Sequence, residues 1–303
     1  MSKNIREGLN LAGIRFWTAS LLPAFVGTTL PFWLQPPNFS FRLPAAIEFL
    51  LATMLFHSGF SFLLAWFEGN HTENWSKERI LVSAGVCISL ACIIGFHINF
   101  NLQLNSNVYD GIFLVYGFCA LLVGVLYVFP PIIFYRQVGG EIVISYSLGL
   151  LPILGAYVVQ AGDISRTVYL AALPIIVITG LWIWINEMAN YSISEKSGRK
   201  TLVTYFGIRF SGRVGVLLIA MLYFLALLLT VFSASVNPLT LVSLLFIVPI
   251  WKIVKKARHN YSILDQMLHA RNNTAVLHAA TCLTIALTSP ITWISVPIPV
   301  LSW

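Results

Sequence analysis

Two polar segments of this chain carry side chains able to hold an ion. The first closes on Glu68, after Ser61-Phe62-Leu63-Leu64-Ala65-Trp66-Phe67. The second follows an apolar run ending at Ile185 and reads Asn186-Glu187-Met188-Ala189-Asn190-Tyr191-Ser192-Ile193-Ser194-Glu195-Lys196-Ser197-Gly198-Arg199-Lys200-Thr201-Leu202. Glu68 and Glu187 each offer a carboxylate, while Asn186, Asn190 and Ser194 offer neutral oxygens, a set compatible with one weakly held hard cation. The opposite chemistry is also available. Arg136, Arg199, Lys200 and Arg15 can take phosphate oxygens directly, because guanidinium forks match oxyanions and need no metal. Charged residues at helix ends also serve simply as anchors.

The elements that must position these groups are set by composition. With 303 residues, 58% hydrophobic, 10% charged and 14% aromatic, the chain has more apolar side chains than a soluble domain buries, whereas lipid accepts them. Runs of about 17 to 25 apolar residues predict an all-α, polytopic membrane protein with nine transmembrane helices, at roughly 16–34, 45–67, 80–98, 111–129, 142–159, 168–186, 214–235, 238–254 and 277–301. No loop is long enough for a further domain, so residues 1–303 read as one transmembrane domain. With the N-terminus cytoplasmic and the C-terminus outside, all of the 18 Lys and Arg except Arg42 and Arg166 fall on the cytoplasmic side, as the positive-inside rule requires. Glu68 then closes the second helix and Glu187 the sixth, both at a water-accessible cytoplasmic mouth. One two-part site at one membrane face follows.

Several segments, in order, resemble the UbiA superfamily of intramembrane prenyltransferases. They are Arg15-Phe16-Trp17-Thr18-Ala19-Ser20-Leu21-Leu22-Pro23, Tyr127-Val128-Phe129-Pro130-Pro131, Gly139-Gly140-Glu141 and the Asn186-to-Leu202 loop. The Gly-Glu entry, the 148–160 segment and Val276-Leu277-His278 are nearest the dihydroxynaphthoate, menaquinone-type branch. The resemblance implies two aspartate-rich motifs binding magnesium and the diphosphate of a prenyl donor. Both are degenerate here. Ser61, Leu64, Ala65 and Glu68 occupy the first, and Asn190 and Ser194 replace the aspartates of the second.

On this resemblance the chain is a membrane transferase that joins a prenyl or similar lipid-soluble donor to a small cyclic acceptor, in quinone biosynthesis for the menaquinone branch. Glu68, Glu187 and Tyr127 would be catalytic, with Tyr127 near the acceptor. Ser61, Asn186, Asn190, Ser194, Arg136, Arg199, Lys200 and Arg15 would bind substrate. Magnesium, held by Glu68 and Glu187, would be bound weakly or not at all. Two alternatives stay open: a diphosphate-independent cyclisation, condensation or rearrangement in the same cavity, and a non-catalytic protein that binds a prenyl lipid or quinone.

Other features narrow the field. The net charge of +7 follows from basic loops facing anionic lipid, so nucleic acid is not the partner. Cys87, Cys92, Cys119 and Cys282 lie within predicted spans without zinc-type spacing and read as packing residues. Met1 to Leu11 is polar, and the first apolar run is long enough to remain as an anchor rather than a cleaved signal. His57, with Ser58 and Ser61 in the second span, is an intramembrane ionisable group and so a functional candidate; a hydrogen-bonded packing histidine explains it equally well. Trp66, Phe67, Tyr127, Trp182, Trp184 and Tyr191 would line a cavity or form interfacial belts. Reporter cysteines at Asn74 and Ser197 are expected to label only from the cytoplasm and one at Asn105 only from outside; reversed labelling would overturn the orientation.

Overall fold

The computed structural model describes residues 3–36, 39–105 and 111–291. Apart from a single bridge between Thr72 and Trp75, the regular structure of these residues is helical, as expected of a chain in lipid, where every backbone polar group must be satisfied within its own segment. The helices are α1 (Lys3–Leu11), α2 (Thr18–Leu34), α3 (Leu43–Glu68), α4 (Lys77–Asn105), α5 (Ile112–Val128), α6 (Gly140–Ala161), α7 (Arg166–Ala189), α8 (Tyr191–Lys196), α9 (Leu202–Phe206), α10 (Ile208–Phe210), α11 (Val216–Phe232), α12 (Ile247–Asn260) and α13 (Leu264–Thr288).

Among the described residues, 6 helical stretches are long and apolar enough to cross a membrane, or 7 if the bent pair formed by α1 and the Ile14–Leu34 stretch is one span. Where the expected stretches lie within the described residues they fall largely on helical elements, but Ile112–Val128 is shorter than a full span and two others differ from their predicted form. The 238–254 segment starts as a 3-10 helix, Pro238–Phe246, before α12. The last helix begins at Leu264 rather than near 277, and residues 292–301 of that expected span lie outside the described residues. Its first half escaped the hydropathy reading because Asp265, Gln266, His269, Arg271, Asn272 and Asn273 make it polar on average, although Met267, Ala270, Thr274, Leu277 and His278 are buried at helical spacing.

The helix α7 is the axis of the bundle. It packs on α6, α11 and α13, while α2 lies on α6 and α13. Val168, Ala171, Ala172, Ile175, Ile178, Leu181 and Ile185 along it are fully buried. The other half of the bundle is looser: α3 runs along α4, and α5 leans on α6, leaving Phe100 and Val115 exposed and Phe96 and Phe118 open to a cavity. Lipid tails are as apolar as leucine, so helices pack tightly there mainly where small residues let backbones approach. A Cβ at Gly27 would stand 2.2 Å from the Ile153 carbonyl oxygen, and one at Gly149 2.8 Å from Ile176 Cα. Gly27→Val is therefore expected to cost about 1–3 kcal/mol or more by overpacking, read as a lower thermal midpoint in detergent. Gly85→Val, with nothing within 4 Å of its Cβ position, is expected to leave the midpoint unchanged; equal melting of both variants would contradict this packing.

Candidate functional site

A cavity of about 780 Å³ opens between α3, α4, α5, α6 and the end of α7. That volume suits a drug-sized or isoprenoid ligand. Its walls are mostly aromatic and aliphatic, including Phe49, Phe56, Phe60, Phe113, Leu148 and Leu151, and polar groups gather at one end: Tyr127, Tyr135, Asn186, Glu187, Asn190 and Arg199.

The turn that delivers Arg199 is built locally. Gly198 takes a left-handed conformation (φ 68), which glycine adopts without steric cost, and turns the chain back after α8. Arg199 N–H then donates to the Ser194 carbonyl at 2.9 Å and Lys200 N–H to the Arg136 carbonyl at 3.2 Å. Thr201 and Thr204 form a reciprocal cap at the start of α9, and Glu141 Oε1 accepts from Leu202 N–H at 2.6 Å. Each contact satisfies a backbone group that burial would otherwise leave unpaired.

With its backbone fixed, Arg199 reaches into the polar end of the cavity. Its Nη2 donates to Glu187 Oε1 at 2.9 Å and its Nε to the Tyr135 carbonyl at 2.8 Å. Its guanidinium carbon lies 3.8 Å from the centre of the Tyr135 ring, a cation–π contact. Burial works to lower the Arg199 pKa, but the Glu187 carboxylate and the Tyr135 and Tyr127 hydroxyls together outweigh it and the net shift is upward; the guanidinium stays charged. The Tyr135 hydroxyl donates to Glu68 Oε1. Burial pushes that hydroxyl above the ordinary phenol range, against the pull of Arg199, so it remains a protonated donor through neutral pH. Glu68, Tyr135, Arg199 and Glu187 thus form one chain of contacts across the ends of α3, the α5–α6 connection and α7.

The two expected carboxylates therefore meet at the same end of the bundle, through Tyr135 and Arg199. They are not alike. Glu68 is exposed, in the last turn of α3 that closes with left-handed Gly69 and the Asn70 N–H to Ala65 carbonyl bond, a Schellman-type stop. Glu187 is only 4% exposed and sits in the wall of the cavity, so it is not at an open mouth. The reason is the Arg199 turn, which folds over it. Tyr127, Ser61, Asn186 and Asn190 line the cavity. Ser194 is buried outside the cavity lining with its hydroxyl unpartnered. Arg136 and Lys200 are exposed; Arg136 lies over the Phe67 ring at 5.3 Å. Arg15 is exposed on the turn before α2 and acts electrostatically on Arg271. Of the four basic residues, Arg199 is the one in the cavity wall.

Tyr135 and Glu141 were not singled out as site residues. Tyr135 carries no sequence signal beyond its place between the Pro130-Pro131 and Gly139-Gly140 turns, whereas Glu141, 7% exposed and with Oε2 unpartnered, could have been found as an acid opening an apolar helix. Trp182 and Trp184 belong to neither an interfacial belt nor the cavity wall. Both are buried, Trp182 stacked on Phe16 and Trp184 donating to the Ser211 carbonyl.

Comparison with solved structures places this arrangement. A UbiA homologue from Archaeoglobus fulgidus bound to Cd2+ superposes with a TM-score of 0.64 at 16% identity, over 91% of this chain and 99% of that one. The chain has the UbiA fold. A digeranylgeranylglyceryl phosphate synthase aligns with a TM-score of 0.64 at 12% identity, over 96% of this chain and 100% of the other. The Archaeoglobus fulgidus homologue bound to GPP and Mg2+ aligns at 0.57 and 16% identity, over 93% and 99%. No protein-family model and no curated protein sequence matches the chain. Within this UbiA fold, the side chains of Arg199 and Glu187 are 14% and 5% exposed, so losing one partner strands a buried charge. Glu187→Leu is expected to lower stability by about 3 kcal/mol, with the Arg199→Met, Glu187→Leu double variant recovering most of it. Additive losses in that double-mutant cycle, measured by thermal unfolding, would show that the pair is not coupled.

Proposed function

We propose that this chain is an intramembrane UbiA-type transferase that places the anionic head of a prenyl or similar lipid-soluble donor against Arg199, with the tail in the apolar cavity. The observation that carries this reading is a charged guanidinium in the wall of a cavity whose remaining surface is largely apolar. The Archaeoglobus fulgidus homologue of the same fold is bound to GPP in one structure and DMAPP in another, both with Mg2+, which supports a prenyl diphosphate as donor. On this reading the bundle crosses the membrane nine times, with the N-terminus and the Arg199 end cytoplasmic. The acceptor is a small cyclic molecule, and the segments at Gly139-Gly140-Glu141 and 148–160 favour the dihydroxynaphthoate type.

The chemistry follows from the groups present. The allylic C–O bond breaks, its electron pair leaves with the diphosphate, and Arg199 stabilises the added charge in a low-dielectric site. The Tyr127 ring, in the cavity wall at this end, offers a π face to the cation, while the Tyr135 ring is already engaged by the Arg199 guanidinium. The acceptor carbon forms the new bond to the allylic carbon, and its proton passes to Glu187 Oε2, which has no other partner.

The residues do not fit a tightly held magnesium ion. Glu187 Oε1 is taken by Arg199, and the Glu68 oxygens are taken by Tyr135 and Asn70. Among the described residues no three His, Cys, Asp or Glu side chains gather as a metal site. Magnesium requires near-octahedral oxygen coordination and carboxylate charge, and here the cationic role falls to Arg199. One observation favours the second reading, a diphosphate-independent cyclisation or rearrangement: the Arg199 charge is already matched by Glu187.

Turnover of radiolabelled geranyl diphosphate with a panel of aromatic acceptors, in lipid and with a chelator present, separates the two. Product is expected with chelator, and Arg199→Lys should retain only part of the activity because a point charge cannot reproduce the fork. If chelation abolishes turnover and micromolar magnesium restores it, the direct arginine contact is not the main counter-charge. Absence of product under every condition would leave the diphosphate-independent chemistry as the better account.

A further inference from the structure

Deep in the same cavity lies a polar group that the transfer chemistry above does not use. His57, Ser20 and Ser61 line it. Ser61 and His57 precede Glu68 on α3 by about 10 and 16 Å at 1.5 Å per residue, well inside the apolar part of the bundle. His57 Nδ1 lies 3.0 Å from Ser20 Oγ. Ser20 Oγ also approaches the Trp17 carbonyl at 3.2 Å, an oxygen that already accepts the N–H groups of Ser20 and Leu21. One imidazole nitrogen is therefore held, and the other is free for the cavity. Either tautomer leaves Nε2 with a hydrogen-bonding function to offer.

Gly13 packs against both His57 and Ser61. A Cβ there would stand 3.5 Å from His57 Nε2 and 2.3 Å from Ser61 Oγ. Gly13 has φ 71, a conformation glycine accepts readily, and a side chain would overlap Ser61. The two polar atoms thus lie near each other on the cavity wall, with Phe16, Phe56 and Phe60 among the neighbouring cavity residues. Apolar pockets fix ligand orientation through a few such placed polar groups, and an ionisable side chain in the interior of a membrane bundle costs free energy unless it is used or satisfied.

We propose that His57 Nε2 and Ser61 Oγ form a second polar subsite that binds the hydroxyl or carbonyl oxygen of an aromatic ring. A hydroxyl can donate or accept and so satisfies either histidine tautomer. This goes beyond the proposed function and does not rest on it: His57 lies outside the charged end where the transfer bond would form.

The test compares two ring probes of similar size, tritiated 2-naphthol and 2-methylnaphthalene, binding to the protein in nanodiscs, with empty nanodiscs subtracted. Naphthol is expected to bind about tenfold more tightly, since a site built around a hydrogen bond disfavours the analogue lacking it. His57→Leu should erase the preference, His57→Gln should keep most of it, and Ser61→Ala should reduce it. Equal binding of the two probes to the unaltered protein would overturn the subsite, as would a full preference in His57→Leu protein with an unchanged melting curve. Should His57→Leu fail to fold, Ser61→Ala and His57→Gln decide: a preference unaffected by Ser61→Ala and lost in His57→Gln refutes the paired site. Geranyl diphosphate binding is measured on the same samples. A His57-dependent naphthol preference without geranyl diphosphate binding would remove the transferase reading and leave the subsite standing.

Discussion

The ion pair between Arg199 and Glu187 is buried beside a largely apolar cavity, where neither charge would be tolerated alone. Desolvating a carboxylate or guanidinium costs several kcal/mol, returned only when partners and hydrogen bonds are well placed. The surrounding structure meets that condition. Backbone hydrogen bonds, the Thr201–Thr204 cap and Glu141 hold the Arg199 turn, the Tyr135 carbonyl and ring hold its side chain, and Tyr135 is held in turn by Glu68. The ends of α3, α6 and α7 are therefore registered to one another by a polar network at the site where a ligand head would sit.

Below that network the bundle is asymmetric. Around α7 the helices are tightly packed, with small residues such as Gly27 and Gly149 bringing backbones together. Around α3, α4 and α5 the packing leaves a cavity. A rigid half that carries Glu187 and an open half that encloses apolar volume together give a site with one charged end, one apolar body and one internal polar point at His57. Charge, apolar area and a hydrogen-bond group are thus available to different parts of one ligand.

The helical class and the positions of most helices were legible because lipid imposes a simple rule: long apolar runs become helices. Boundaries failed where that rule is weakest. The last helix starts at Leu264 because its early turns bury a narrow stripe, and 238–246 winds as a 3-10 helix although its composition resembles its neighbours'. Glu68 and Glu187 were legible as charges at helix ends in a chain poor in charge. Tyr135 was not, because its role depends on Arg199 arriving from 64 residues away.

By itself the sequence determined the membrane class and the polar helix ends, since each is a property of composition or local order. Only the tertiary structure decided which charges share a site. It buried Glu187 against Arg199, left Arg15, Arg136 and Lys200 exposed, and placed His57 in the cavity wall. Charge type is written in the chain, whereas burial and pairing depend on which distant segments fold over one another.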